Sequence, residues 1–391
     1  MGRILSKSRV YDALTVLGLL CAVSALIKFP RESTEAAAKG VKLCFEVLIP
    51  SLFPFFVVST LAVRLGVTEK LTRIFEPVMR PLFGVSGVCS GAMIMGFLGG
   101  YPVGARTAIA LYENGECSKT DAERMLAWCN NSGPAFILGA VGAGVFASGS
   151  AGLLLFFVHI LSSLAVGVLF RGFGKERISP KAQIKKRENS RESFPAAFIG
   201  AVSSSFSAVL GLCGFVIFFT VIIRLLFLSG LIPAAAGLLA RVLSPFGIDR
   251  ELAERLLTGM IELSSGVTSL SGAAAELPVS MAMAAFMLGW AGLSVHCQVL
   301  SFLASSGLRF RGYILGKLCH GVISAALVFI LSKLFFRETA VSAVLAGQVS
   351  SNVSSGFIRN ATIACAAILA LGALLFALGE KHSSKSGKKG V

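Results

Sequence analysis

The chain has 391 residues; 55% are hydrophobic and only 14% charged, with 36 Lys and Arg against 20 Asp and Glu. A soluble domain carries about 25% charged residues, so this chain lacks the polar surface that water demands and takes lipid as its solvent. A large soluble enzyme and a coiled coil are both excluded. The basic excess does not point to nucleic acid, because the basic residues lie between apolar runs and in the tail, where they act as topology signals. The nine cysteines form no CxxC pair and lie mostly within apolar runs, which reads as buried thiols rather than a disulfide framework or a zinc site.

In chain order, residues 1–40 hold a basic front, Met1 to Arg9, and an apolar run from Val10 to Phe29. That run is read as an uncleaved first span with a cytoplasmic front. Further spans are expected at about 43–65, 125–146, 151–170, 205–223, 279–304, 312–335 and 361–379, each near the ~20 residues that cross the hydrocarbon core. Two more apolar stretches, 85–111 and 256–275 within 250–275, are too short for a pair of spans and are read as re-entrant hairpins.

Charge sets their direction. The linker 172–193, counted with Arg171, carries eight basic residues against three acids and belongs in the cytoplasm. A hairpin at 85–111, rather than a span, keeps it there. The model gives eight spans, two hairpins and both termini inside, with 24 basic residues inside, 11 outside and one in the first hairpin. Lys317 is among the 24. Residues 337–391 then form an external loop, a last span and a basic cytoplasmic tail.

The two halves, 41–171 and 194–336, repeat each other at an offset of 163. Phe55-Phe56-Val57-Val58 matches Phe218-Phe219-Thr220-Val221, Phe83-Gly84-Val85 matches Phe246-Gly247-Ile248, and Gly96 matches Gly259. One residue of slip aligns Met125-Leu126-Ala127-Trp128 with Met287-Leu288-Gly289-Trp290, which holds the chain's two tryptophans. Because the hairpins enter from opposite sides, the repeat is inverted. The expected fold is an all-α polytopic membrane protein of about eight transmembrane helices plus two re-entrant hairpins in an inverted repeat. Local signals add caps: Thr68 for a surface helix over 69–80, a Thr120-x-x-Glu123 capping box before the span at 125, and Asp249 ahead of the second hairpin.

Four places break the apolar pattern. Gly99-Gly100-Tyr101-Pro102-Val103-Gly104 cannot continue a helix and marks the first hairpin tip, with Arg106 just beyond. Asn130-Asn131-Ser132-Gly133-Pro134 interrupts a span, and its buried amides need partners. Glu262, followed by Ser264 and Ser265, is a lone carboxylate in the second hairpin, a candidate cation ligand or proton carrier. Ser294, His296 and Gln298 lie opposite the Asn pair in the repeat. His159 stands alone on an apolar span and reads as packing. No enzyme motif is present in the sequence, and no cofactor or metal is implied. Broken helices at membrane depth, paired across inverted halves, point to one central site for a small-molecule substrate at the bilayer midplane.

The segments Leu48-Ile49-Pro50-Ser51-Leu52-Phe53-Pro54-Phe55-Phe56, Gly99 to Ala105 and Asn130 to Ile137 resemble the YlbJ-type sporulation integral membrane proteins of the Gate, or nucleoside-recognition, group. The order of elements is similar to the core of the concentrative nucleoside transporters. That resemblance implies a substrate held between two hairpin tips and two unwound helices, driven by a coupling ion (proton or sodium). It places Glu262 at the position of a hairpin-two glutamate, whereas the first hairpin has Gly-Tyr-Pro and Arg106 in place of a polar Gln-Thr-Glu type sequence. It also implies a bacterial cell membrane or the membrane around the developing spore. The expected function is transport of a small polar or anionic metabolite such as dipicolinate, with Arg106 as the anion's partner. A nucleoside carrier and a non-transporting assembly or signalling protein are the alternatives. Either use is compatible with a homo-oligomer.

Overall fold

The computed structural model describes residues 7–65, 67–174 and 193–336, and those residues form helices and no strand. Helix α1 (Lys7–Lys28) exposes Val16, Leu17, Leu19 and Leu20, as a lipid-facing helix does. The first half opens with α2 (Pro30–Leu43), a widened turn at Cys44–Leu48 and α3 (Ile49–Arg64), which together make a 35-residue apolar helix. The second half opens with α9 (Phe194–Leu228), also 35 residues. At about 1.5 Å per residue each is roughly 50 Å long, more than the ~30 Å hydrocarbon core, so each has room to tilt or to project. They pack side by side: the Gly40 backbone lies against Ile217, and the Phe53 ring meets Phe206 edge-on at 6.1 Å.

After these long helices the halves run in step. Helix α4 (Val67–Val78) leads through a widened turn at Met79–Phe83 into a sharp bend; α10 (Leu231–Leu243) leads through Ser244–Phe246 into another. Both bends measure 111°. A left-handed glycine makes each turn, Gly84 (φ 65°) and Gly247 (φ 76°), the pair that the repeat aligns.

The hairpins follow. In the first, α5 (Ser90–Gly99) and α6 (Val103–Glu113) flank a tip at Gly100-Tyr101-Pro102 with a cis Tyr101–Pro102 bond. In the second, α11 (Arg250–Ile261) and α12 (Leu263–Ser269) meet at Glu262. Touching glycines hold the arms together in both. A Cβ on Gly104 would stand 2.8 Å from the Gly96 Cα, and one on Gly266 would stand 2.0 Å from the Gly259 Cα.

Each half ends with a broken span and an unbroken one. Helix α7 (Lys119–Leu126) is separated by an irregular stretch from the wide-wound helix Ala135–Val145, followed by α8 (Gly149–Leu169). Helices α13 (Leu277–Trp290) and α14 (Gly292–Leu303) are followed by α15 (Phe310–Phe335). The two halves meet along α15, where Gly316 packs on Ala127, and within the second half Gly321 packs on Gly289.

The expected spans 43–65, 125–146, 151–170, 205–223, 279–304 and 312–335 fall on these helices, and α1 covers the expected span 10–29 except for Phe29. The expected span 361–379, the loop 337–359 and most of the linker lie outside the described residues. Three caps need comment. Asp249 caps α11 as expected, accepting from the Leu252 amide at 2.8 Å. The Thr120–Glu123 box does not form: Ser118 is the cap of α7, accepting from the Asp121 amide at 3.1 Å, and Glu123 instead accepts from the Arg309 amide at 3.0 Å. The surface helix starts at Val67, so Thr68 lies inside it rather than ahead of it.

Candidate functional site

Each hairpin tip rests on the broken span of its own half. A Cβ on Gly100 would meet the Gly133 nitrogen at 2.9 Å, and one on Gly292 would meet the Leu263 nitrogen at 3.0 Å. The second break is tight because Ala291 and Gly292 are both left-handed (φ 81° and 82°). It thus falls at Trp290–Gly292, and Ser294, His296 and Gln298 occupy the first turns of α14 just beyond it.

The four pieces enclose a cleft with about 600 Å³ of non-protein space, its open mouth included. Tyr101, Ser132, Glu262, Ser264, Ser294 and Gln298 supply its polar lining, with backbone from Gly100 and Gly133. Phe55, Phe56, Phe136 and Phe215 supply aromatic walls, drawn from α3, the first broken span and α9. Two of these, Phe55 and Phe56, belong to the repeated Phe-Phe motif.

Glu262 is 2% exposed. Its carboxylate caps α12: Oε1 accepts from the Ser264 amide at 3.0 Å and Oε2 from the Ser265 amide at 2.6 Å. The nearby cations are engaged elsewhere. Arg255 donates to Glu251 at 2.6 Å and to the Ser269 carbonyl, and Arg250 pairs with Glu254 at 3.6 Å. Glu262 is therefore the charged group in the lining, and backbone amides rather than a cation hold it.

The structure does not bring all the sequence candidates to this cleft. Arg106 is exposed, its guanidinium 5.7 Å from the centre of the Phe302 ring, and it is absent from the lining. Ser265 faces Thr220, hydroxyl to hydroxyl at 3.2 Å. Asn130, Asn131 and His296 lie behind the cleft wall in a second, fully buried polar cluster. There His296 Nδ1 is 3.0 Å from the Tyr313 hydroxyl, Asn130 Nδ2 reaches the same hydroxyl at 3.4 Å, and Asn131 Nδ2 donates to the Trp128 carbonyl at 3.0 Å.

His159 does more than pack, since its Nε2 accepts from the Ser132 amide at 3.0 Å. Sequence reasoning missed the centre of this cluster. Lys317 is fully buried and donates to the Asn130 carbonyl at 2.8 Å, and His320 stands 3.4 Å from its Nζ. The available signal was a Lys and a His at i and i+3 on a glycine-rich stretch of helix (Gly312, Gly316, Gly321).

Comparison with known proteins supplies the family. The chain is 31% identical over 374 residues to the sporulation integral membrane protein YlbJ of Bacillus subtilis (strain 168), covering 91% of this chain and 92% of the relative. The chain belongs to the YlbJ family of sporulation integral membrane proteins. Residues 45–216 match the Gate family, described as nucleoside recognition. Among solved structures the fold is similar to that of a doubly substituted CNTnw, a concentrative nucleoside transporter, in an outward-facing state, with a TM-score of 0.54. That match has 13% identity and covers 85% of this chain and 86% of the other. This chain is a multi-pass membrane protein with a transporter-like fold.

Proposed function

We propose that the protein transports a small, uncharged or zwitterionic polar solute with a flat apolar face, of the nucleoside kind, bound between the two hairpin tips. The observation that carries this reading is the chemistry of the cleft. Both tips and both breaks converge on it, aromatic walls face a polar end, and the charged group in the lining is a carboxylate. A planar ring would lie against Phe55, Phe56 and Phe136, while its hydroxyl or amine donors would meet Glu262, Ser264 and Gln298. Dipicolinate, a dianion, finds no cation in this lining, because Arg106 lies outside it. The anionic reading loses its partner, and the nucleoside reading gains from the match to the nucleoside-recognition family.

Purified protein in liposomes tests this with radiolabelled uridine and dipicolinate, beside thermal unfolding in each. Uridine is expected to raise the unfolding midpoint and to exchange across the bilayer, and dipicolinate to do neither. Stabilisation by dipicolinate alone would return the anionic substrate. Binding of uridine without exchange would favour a non-transporting role.

A further inference from the structure

Lys317 sits in the bilayer-depth core of the protein, 0% exposed, and makes no ion pair among the described residues. A charge in such a place is costly and marks function more often than architecture. Two acceptors face its Nζ, the Asn130 carbonyl at 2.8 Å and His320 Nδ1 at 3.4 Å. Between α7 and the helix from Ala135, the chain is irregular, and the carbonyls of residues 128–130 take no backbone amide among the described residues. Each has another use. The Trp128 carbonyl accepts from Ser163 at 2.7 Å and from Asn131. The Cys129 carbonyl is pressed against Gly96 and Gly104 of the first hairpin. The Asn130 carbonyl accepts from Lys317.

The Lys317 ammonium also stands 5.1 Å from the centre of the Tyr101 ring at the hairpin tip, within cation–π range. It therefore joins α15 to the break and to the tip at once. Close packing of Gly316 on Ala127 sets it there.

The histidines beside it are neutral by their bonding. His159 Nε2 accepts from the Ser132 amide and so carries no proton. His320 Nε2 lies 2.9 Å from the His159 carbonyl, which assigns its proton to that nitrogen and leaves Nδ1 as an acceptor facing Lys317. The positive charge of the cluster rests on Lys317. Asn130 Oδ1 and Asn131 Oδ1, in the same break, are buried acceptors with no partner among the described residues.

The freed Asn130 carbonyl and the face of the Tyr101 ring meet the Lys317 Nζ, and groups of both kinds hold an ammonium or an alkali ion alike. We propose that the first break is a monovalent-cation site whose occupant is the chain's own Lys317 ammonium. The lysine stands where a free ion would otherwise be needed to hold the break and the first tip together.

The test uses the purified full chain and no transported solute, so its failure and a failure of the transport reading are separable. Thermal unfolding of wild type, Lys317→Ala and Lys317→Ser is followed in choline, sodium, potassium and methylammonium chloride at equal ionic strength. Choline, the bulkiest of the four cations, is the control. Wild type is expected to gain less from the small cations than either variant does. Both variants are expected to unfold lower in choline and to regain several degrees, saturably, in at least one of the three small cations. Lys317→Ser keeps the proposal testable if Lys317→Ala does not survive purification, since its hydroxyl adds an oxygen to the emptied site. The proposal is overturned if the variants unfold alike in all four salts. It is equally overturned if neither variant can be purified in any of them, or if wild type gains as much from the small cations as the variants do.

Discussion

Gly84 and Gly247 lie 163 residues apart and hold the same left-handed backbone, φ 65° and ψ 28° against φ 76° and ψ 18°. Each turns its surface helix by the same angle into its hairpin. Their surroundings differ. A Cβ on Gly247 would meet nothing closer than 3.8 Å, whereas one on Gly84 would stand 2.9 Å from the Arg171 carbonyl oxygen. Gly247→Ala is therefore expected to cost about 1 kcal/mol, the strain of a left-handed alanine. Gly84→Ala is expected to cost at least about twice that, because the backbone of residue 171 must move as well. Equilibrium unfolding of the two variants in detergent checks the order, and equal losses would show that the Arg171 contact yields freely.

Arg124 closes the same end of the molecule. Its guanidinium donates to the Gly84 carbonyl at 2.6 Å and the Phe173 carbonyl at 2.7 Å, tying the first bend to the exit of α8. Beside it, Glu123 holds the amide of Arg309. Arg124→Ala leaves two carbonyls without a donor and is expected to cost about 2–4 kcal/mol, since hydrogen bonds to a charged group are the stronger kind. Arg124→Lys should restore less than half, because a single ammonium cannot span two carbonyls that the planar fork reaches together. Thermal unfolding of the three proteins measures this, and full recovery in the lysine variant would show that charge alone matters.

Much of the architecture was legible because glycine and proline interrupt an apolar helix visibly. Gly99 to Gly104 and Asn130 to Pro134 announce the first tip and the first break in this way. The second break does not, because no proline lies between Val279 and Leu308, and the turn is made by left-handed Ala291 and Gly292. The start of the first broken span was placed at 125 rather than 119 because α7 is polar. Its Asp121, Glu123 and Arg124 are nonetheless buried, and Glu123 and Arg124 are satisfied by loops distant in sequence. Arg106 and Lys317 show the limit most clearly. Both are lone cations beside apolar runs, and hydropathy treats them alike. Only tertiary packing puts Arg106 at the surface and Lys317 in the core.

The inverted topology predicts sidedness for four short loops. Arg171 and Ser306 follow α8 and α14 and should face the cytoplasm with the basic linker. Ser148 and Ser229 precede α8 and follow α9 and should face the opposite side. Single cysteines at the four positions, in a cysteine-free background, are expected to react with an impermeant maleimide in two pairs: 171 with 306, and 148 with 229. Labelling of 148 and 171 from the same side would remove α8 as a span and the inversion with it.

Glu262 joins capping and cleft chemistry in one side chain. Both carboxylate oxygens hold amides of α12, and the same group lines the cleft where a solute's donors would arrive. In Glu262→Gln the carboxamide has one acceptor oxygen, so one of the two amides loses its partner. The loss of cap strength is about 1 kcal/mol, too little to unfold a membrane protein of this size. The loss of charge is complete, and with it the ability to carry a proton or to hold a sodium ion beside the solute. The variant is therefore expected to insert, to unfold within a few degrees of wild type and to support uridine counterflow. Accumulation of uridine under an imposed proton or sodium gradient is expected to fall to the ungradiented level. Counterflow and gradient-driven uptake in the same liposomes separate the two roles. A variant that accumulates uridine like the parent leaves coupling to another group. One that fails to fold makes the two capping bonds the reason for a carboxylate at this tip.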